Sequence, residues 1–249
     1  MIKKGFFTVV LILLVTLAGT ALTLAVHYYK QYKILAVFPD NQGWYRKANA
    51  SLVGSTENRR LVLFGDSRVS QWKPLPKIEG FQVINRGIGG ETTAQMAYRF
   101  EQDVLDLDPD VLVVQAGIND LMAAGYAAGR ADSIVRKASD RINDFSIRAG
   151  DHGVQVILLS VIQPARPELY RRLVWNDKIT TYVDRVNQAL ARTAEASSNI
   201  VLLDSNRILD SGSHSFDKNF AEDALHINAA AYQRLNNKLS EVVESLYGL

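Results

Sequence analysis

Residues 61–72 read LVLFGDSRVSQW. The apolar run from Leu61 to Phe64 stops abruptly on Gly65-Asp66-Ser67. A run this short, bounded by turn residues, suits a strand covered on both faces. Gly, Asp and Ser all favour turns, so on its own the stop reads as the end of a strand. The same three residues also fit a serine nucleophile held at a strand's carboxyl end. The rest of the chain separates the two readings.

Runs of the same kind recur. RLVLFG (60–65) is followed by FQVINRG (81–87), DVLVVQAG (110–117), VQVILLSV (154–161) and NIVLLD (199–204). Between them lie helical stripes. Ala97, Phe100, Val104 and Leu107 are spaced 3, 4, 3, and Val135, Ala138, Ile142 and Phe145 repeat that spacing. Ile179, Val183, Val186 and Leu190 run 4, 3, 4, as do Leu235, Leu239, Val242 and Leu246. Each set puts one apolar stripe on a helix. Strands alternating with helices predict an α/β fold of three layers, a five-stranded parallel sheet with helices on both faces. Ligands of such sheets sit at the carboxyl ends of the strands.

The amino-terminal region is different. From Gly5 to Val26 no residue is charged. A helix of that length reaches across a hydrocarbon core of roughly 30 Å. Lys3 and Lys4 precede it, which favours a cytoplasmic amino terminus. His27, Tyr28, Tyr29, Lys30 and Tyr32 follow, as interface anchors do. A cleaved signal peptide has a shorter apolar region and a small-residue site. Here the only passable site is Thr23-Leu24-Ala25. The reading is therefore an uncleaved single-pass anchor over 1–26, a polar stalk over 27–58, and a domain over 59–249 on the non-cytoplasmic side. Cleavage would make the same domain secreted.

The absence of cysteine excludes disulfides, thiolate metal sites, a cysteine nucleophile and a lipid-modified cysteine. With 28 Lys and Arg against 26 Asp and Glu, there is no electrostatic footprint for nucleic acid.

Four turns after the strands carry chemistry. They are Gly65-Asp66-Ser67, the stretch Asn85–Thr92 (NRGIGGET), Gly117-Ile118-Asn119-Asp120, and Asp223-Ala224-Leu225-His226 before the last helix. Ester hydrolysis by a serine needs such a set. A hydroxyl attacks, an imidazole takes its proton, a carboxylate holds the imidazole tautomer, and N–H donors stabilise the oxyanion.

In these blocks the sequence resembles the SGNH (GDSL-type) hydrolase superfamily. GDS, GIGGETT, GIND and DALH stand in order between Gly65 and His226, each in its expected context. The motifs look most like the platelet-activating-factor acetylhydrolase-like and small acyl-esterase branches. The resemblance implies a flavodoxin-like SGNH fold and a catalytic triad of Ser67, His226 and Asp223. It implies an oxyanion hole of the Ser67 and Gly90 backbone N–H groups and the Asn119 side chain. No metal or organic cofactor is implied. The expected substrate is a small acyl ester, acetyl included, of carbohydrate or lipid. A (lyso)phospholipase, a thioesterase and an inactive glycan- or lipid-binding module are the alternatives.

One residue departs from the family pattern. An apolar residue commonly follows Gly-Asp-Ser, and here it is Arg68, read as solvated or paired with Asp66. Among the other histidines, His27 belongs to the membrane flank and His152 to a turn. His214, with Asp210 or Asp217, is the rival base. Asp120 reads as structural. Gly87–Thr92 lacks the third glycine of a dinucleotide fingerprint. A metallophosphatase would want an upstream D-x-H and a histidine after Asn119, and neither is present. Segments 162–175 and 205–220 are expected to line the mouth. The first carries Arg166, Tyr170, Arg171, Arg172 and Trp175.

Overall fold

The computed structural model describes residues 2–37, 43–52, 58–127, 129–169, 172, 175–209 and 218–249. The chain divides into two compact units, Met1–Asn41 and Gln42–Leu249.

The first unit is one helix, α1 (Ile2–Val37). Its apolar stretch, Gly5–Tyr28, has 24 residues and reaches about 36 Å, enough to cross a bilayer core of about 30 Å. Apolar side chains cover all its faces and are exposed, as in Phe7, Leu11, Leu14 and Leu17. A helix apolar all round needs a surrounding that is not water. Three of its threonines are satisfied within the helix, Thr16, Thr20 and Thr23 each donating to the carbonyl four residues back at 2.8–2.9 Å. Length and composition make α1 a candidate membrane span or signal segment.

The second unit holds a five-stranded parallel sheet of β1 (Arg59–Gly65), β2 (Phe81–Gly87), β3 (Val111–Gln115), β4 (Gln155–Leu159) and β5 (Ile200–Leu203). The order is β2-β1-β3-β4-β5. Alternate residues of β1 serve opposite faces. Val62 and Phe64 join the core beneath α4 (Thr93–Asp103), α5 (Ile118–Tyr126), α6 (Ala131–Asp151) and α7 (Lys178–Glu195). Phe64, Phe100 and Phe145 meet there with ring centroids 4.9–5.5 Å apart. Leu61 and Leu63 face the other core, against α9 (Ala229–Tyr247). Strands covered twice have no use for polar residues, which is why they read as unbroken apolar runs.

Register positions the site. Gly65 pairs with Gly87 on one side and Gln115 on the other. Three strands therefore end level, and the chain leaves β2 and β3 on either side of β1. This is the point where the strand order reverses, the usual ligand crevice of an open sheet.

Some elements differ from their sequence reading. The stripe through Leu107 is split, because α4 stops at Asp103 and a 3₁₀ turn carries Leu105–Leu107. In α9 the buried line is Leu235, Leu239 and Val243, while Val242 is partly buried and Leu246 is exposed. Helix α1 runs beyond residue 26, and the second unit includes α2 (Arg46–Ala50), which lies within the segment read as a stalk.

Candidate active site

Asp66 leaves β1 with φ −91° and ψ −147° and caps the single helical turn α3 (Ser67–Ser70). Its carboxylate accepts the Arg68 N–H at 3.0 Å, so Ser67 is presented at the rim by the shortest possible strand-to-helix turn. The end of β2 lies directly on this turn. A Cβ at Gly87 would stand 2.1 Å from the Ser70 nitrogen, so only glycine fits. Asn85 links the two, its Nδ2 donating to Val69 O at 2.6 Å and its Oδ1 accepting from Gly87 N at 2.8 Å.

The chain then turns through Gly89 and Gly90. A Cβ on Gly89 would lie 4.0 Å from that of Ser67, so this turn borders the serine. Gly90 has φ +79°, a conformation that favours glycine. Thr92 caps α4 by accepting from Gln95 N, with Gln95 reaching back. From the third turn, the Asn119 side chain donates one N–H to Glu91 O at 2.9 Å. A primary amide has two N–H groups, so the second remains for the crevice. The adjacent Asp120 is structural, as read from the sequence. Its carboxylate accepts both the N–H and the hydroxyl of Thr93 at 2.8 Å.

The fourth segment brings in the histidine. His226 Nε2 lies 3.1 Å from Ser67 Oγ, and its Nδ1 lies 3.0 Å from Asp223 Oδ2. The other Asp223 oxygen accepts the N–H groups of Leu225 (2.7 Å) and His226 (2.8 Å). Burial opposes ionisation of Asp223, but the bonds from the His226 ring and the two N–H groups outweigh it. Together they hold its carboxyl down to about 2. An anion there fixes the proton on Nδ1 and leaves Nε2 free to accept from a hydroxyl.

Ser67, Gly89-Gly90, Asn119, Asp223 and His226 thus share one rim. The rival His214 and its partners Asp210 and Asp217 lie outside the described residues, as do Tyr170 and Arg171. Two basic residues have places that the sequence did not reveal. Arg68 is not solvated but 2% exposed, donating to Leu225 O and Ile162 O. Arg99, fully buried, bridges Glu91 at 2.6 Å and Asp103 at 3.2 Å and also donates to Gly65 O and Arg86 O. It braces the glycine turn and the end of β1 from beneath. Among the described residues no group of acidic or histidine side chains could hold a metal ion.

Comparison with known proteins identifies the family and the fold. The model of the GDSL-like lipase/acylhydrolase family matches residues 54–234. A GDSL-like lipase from Bacteroides thetaiotaomicron superposes with TM-score 0.68 at 24% identity, covering 83% of this chain and 98% of that one. A Streptococcus pneumonia protein named for platelet activating factor gives TM-score 0.65 at 22% identity, over 88% and 98%. A catalytic mutant of an acetylxylan esterase from Geobacillus stearothermophilus gives 0.57 at 17%, over 75% and 94%. Among curated proteins, the uncharacterized lipoprotein YqeF of Bacillus subtilis is 31% identical over 118 residues, 41% of this chain. The match spans about half (48%) of that relative's length.

Proposed function

The chain belongs to the GDSL-like lipase/acylhydrolase family and is a hydrolase of esters; from that premise we propose a Ser67-His226-Asp223 mechanism acting on a small acyl ester. Ser67 Oγ attacks the ester carbonyl carbon as its proton passes to His226 Nε2. The oxyanion is met by the backbone N–H groups of Ser67 and Gly90 and the second N–H of Asn119. The intermediate collapses, the C–O bond breaks, and the imidazolium returns the proton to the leaving alcohol. Water then attacks the acyl-serine by the same route and releases the acid. Asp223 remains ionised throughout and stabilises the imidazolium. Every step is assigned to groups of this chain, with no metal or organic cofactor.

The observation that carries this reading is the hydrogen-bonded line of Ser67, His226 and Asp223 at 3.1 and 3.0 Å. For the substrate, the likeness to an acetylxylan esterase makes an acetylated polysaccharide the first to try. The apolar helix α1 and the lipoprotein relative support a membrane tether; the length of the apolar run and the lysines before it, Lys3 and Lys4, favour an uncleaved anchor with a cytoplasmic amino terminus and the hydrolase on the opposite side.

The test is turnover of p-nitrophenyl esters of rising acyl length by wild type and Ser67→Ala. Wild type is expected to prefer acetyl, and Ser67→Ala to fall to the uncatalysed rate. A rate that climbs with chain length would favour a lipid acyl substrate. Full turnover by Ser67→Ala would exclude the mechanism.

A further inference from the structure

The loop 221–228 that carries His226 is largely closed on itself. Glu222 N donates to His226 O at 2.9 Å, Asn228 N donates to Phe220 O at 2.9 Å, and Asp223 accepts the N–H groups of Leu225 and His226. These bonds fix the loop's shape but not its distance from Ser67.

Arg68 supplies a link across that gap. It follows the serine directly, and its Nε donates to Leu225 O at 2.8 Å, one residue before His226. Its Nη1 donates to Ile162 O at 2.9 Å. Ile162 begins the segment after β4, and that segment also braces the loop, Ala165 N donating to Ala224 O at 2.9 Å. The Arg68 carbonyl accepts the Tyr232 hydroxyl at 2.8 Å, from the first turns of α9. The buried guanidinium therefore joins the nucleophile's turn to the histidine loop and to the segment behind that loop, while the backbone carbonyl of the same residue ties the turn to α9.

Burying a guanidinium is costly unless its donors are satisfied. Here Nε and Nη1 each meet a carbonyl, and the carboxylates of Asp66 and Asp223 act on the guanidinium electrostatically. A leucine would fill the space, but it would leave the buried Ile162 carbonyl and the part-buried Leu225 carbonyl without this donor and the loop without its tie.

We propose that Arg68 is a positioning residue that holds the Leu225–His226 backbone where His226 Nε2 reaches Ser67 Oγ. The inference rests on the triad reading above. Small displacements of a reacting pair cost rate rather than affinity, on the order of a hundredfold for 1 Å.

The experiment measures kcat and KM for p-nitrophenyl acetate, the rate of fluorophosphonate labelling, and the melting temperature. The proteins are wild type, Ser67→Ala and the Leu, Lys and Ala variants of Arg68, all in the full chain. For Arg68→Leu, kcat is expected to fall about tenfold or more, with KM within about twofold and labelling slowed in parallel. Arg68→Lys, which keeps one donor group, is expected to lie between. Added guanidinium is expected to restore part of the rate of Arg68→Ala and none of Ser67→Ala. The inference is overturned if Arg68→Leu keeps wild-type kcat, or if its loss matches the unfolded fraction and guanidinium restores nothing. If the Leu and Ala variants do not fold, Arg68→Lys decides: lowered kcat at unchanged KM supports the tie, and wild-type kcat refutes it. Full activity in Ser67→Ala would sink the triad reading itself. An inactive Ser67→Ala beside a wild-type-like Arg68→Leu would sink the tie alone.

Discussion

At the scale of single residues, the site separates groups that react from groups that prepare. In the proposed mechanism Asn119 does both, giving one N–H to Glu91 O and the other to the oxyanion. Asn119→Ala is expected to lower kcat by roughly a hundredfold or more with the melting temperature little changed, as loss of one oxyanion donor does. Steady-state kinetics beside a thermal melt checks this. Asp66 gives a pH signature. Burial pushes its carboxyl from 3.8 up to about 6, against the pull of Arg68 and its N–H. The folded chain thus holds this proton more tightly than the unfolded chain. The stability it lends is complete below 3.8 and is lost as pH rises through about 6. Asp66→Asn keeps the acceptor for Arg68 N and removes the titration. Its melting temperature should therefore gain on wild type between about pH 4 and pH 7, by about 5 °C for a domain of this size.

At the scale of elements, the turns were legible and their supports were not. The apolar runs of β1, β2 and β3 give way to Gly65, Gly87 and Gly117, so three of the site segments could be placed from where the runs stop, and the fourth, Asp223–His226, from its place before the last helix. Helix α5 went unread because Ile118–Tyr126 is short, with Gly125 near its end. In α9 the lines 235-239-242-246 and 235-239-243 both suit a 3.6-residue period, and only packing on the sheet selects the second. Arg68 and Arg99 were hidden for a different reason. A charged residue reads as solvated, and its burial depends on acceptors far along the chain, such as Leu225 O for Arg68. Arg99 carries a cost that can be measured. It lies between the buried carboxylates of Glu91 and Asp103 with its guanidinium over the Phe64 ring. Arg99→Met should leave those carboxylates uncompensated and destabilise the domain by about 3–5 kcal/mol in denaturant titrations. Helix α2 belongs to the same assembly. Asn49 accepts from Arg86 and donates to Asp103, and Tyr45, just before the helix, donates to Gly87 O at 2.6 Å. A stretch that looked like a spacer thus braces the end of β2.

At the scale of the whole molecule, the two units differ in the surfaces they expose. The second has buried apolar cores and a rim of polar side chains, whereas between Phe6 and Tyr28 α1 exposes most of its apolar residues. If α1 is an uncleaved anchor, alkaline carbonate should leave the protein in the membrane pellet, and its intact mass should include the first residues. A soluble chain beginning after Val26 would instead mark a cleaved signal. The mechanism proposed for the second unit depends on one alignment, in which the hydroxyl of Ser67, the imidazole of His226 and the carboxylate of Asp223 act as a single group. The most direct test is to label the protein with a fluorophosphonate and map the adduct by peptide mass spectrometry. The account predicts one adduct, on Ser67, lost in His226→Ala. An adduct on another residue, or none on a chain that still hydrolyses esters, would contradict it.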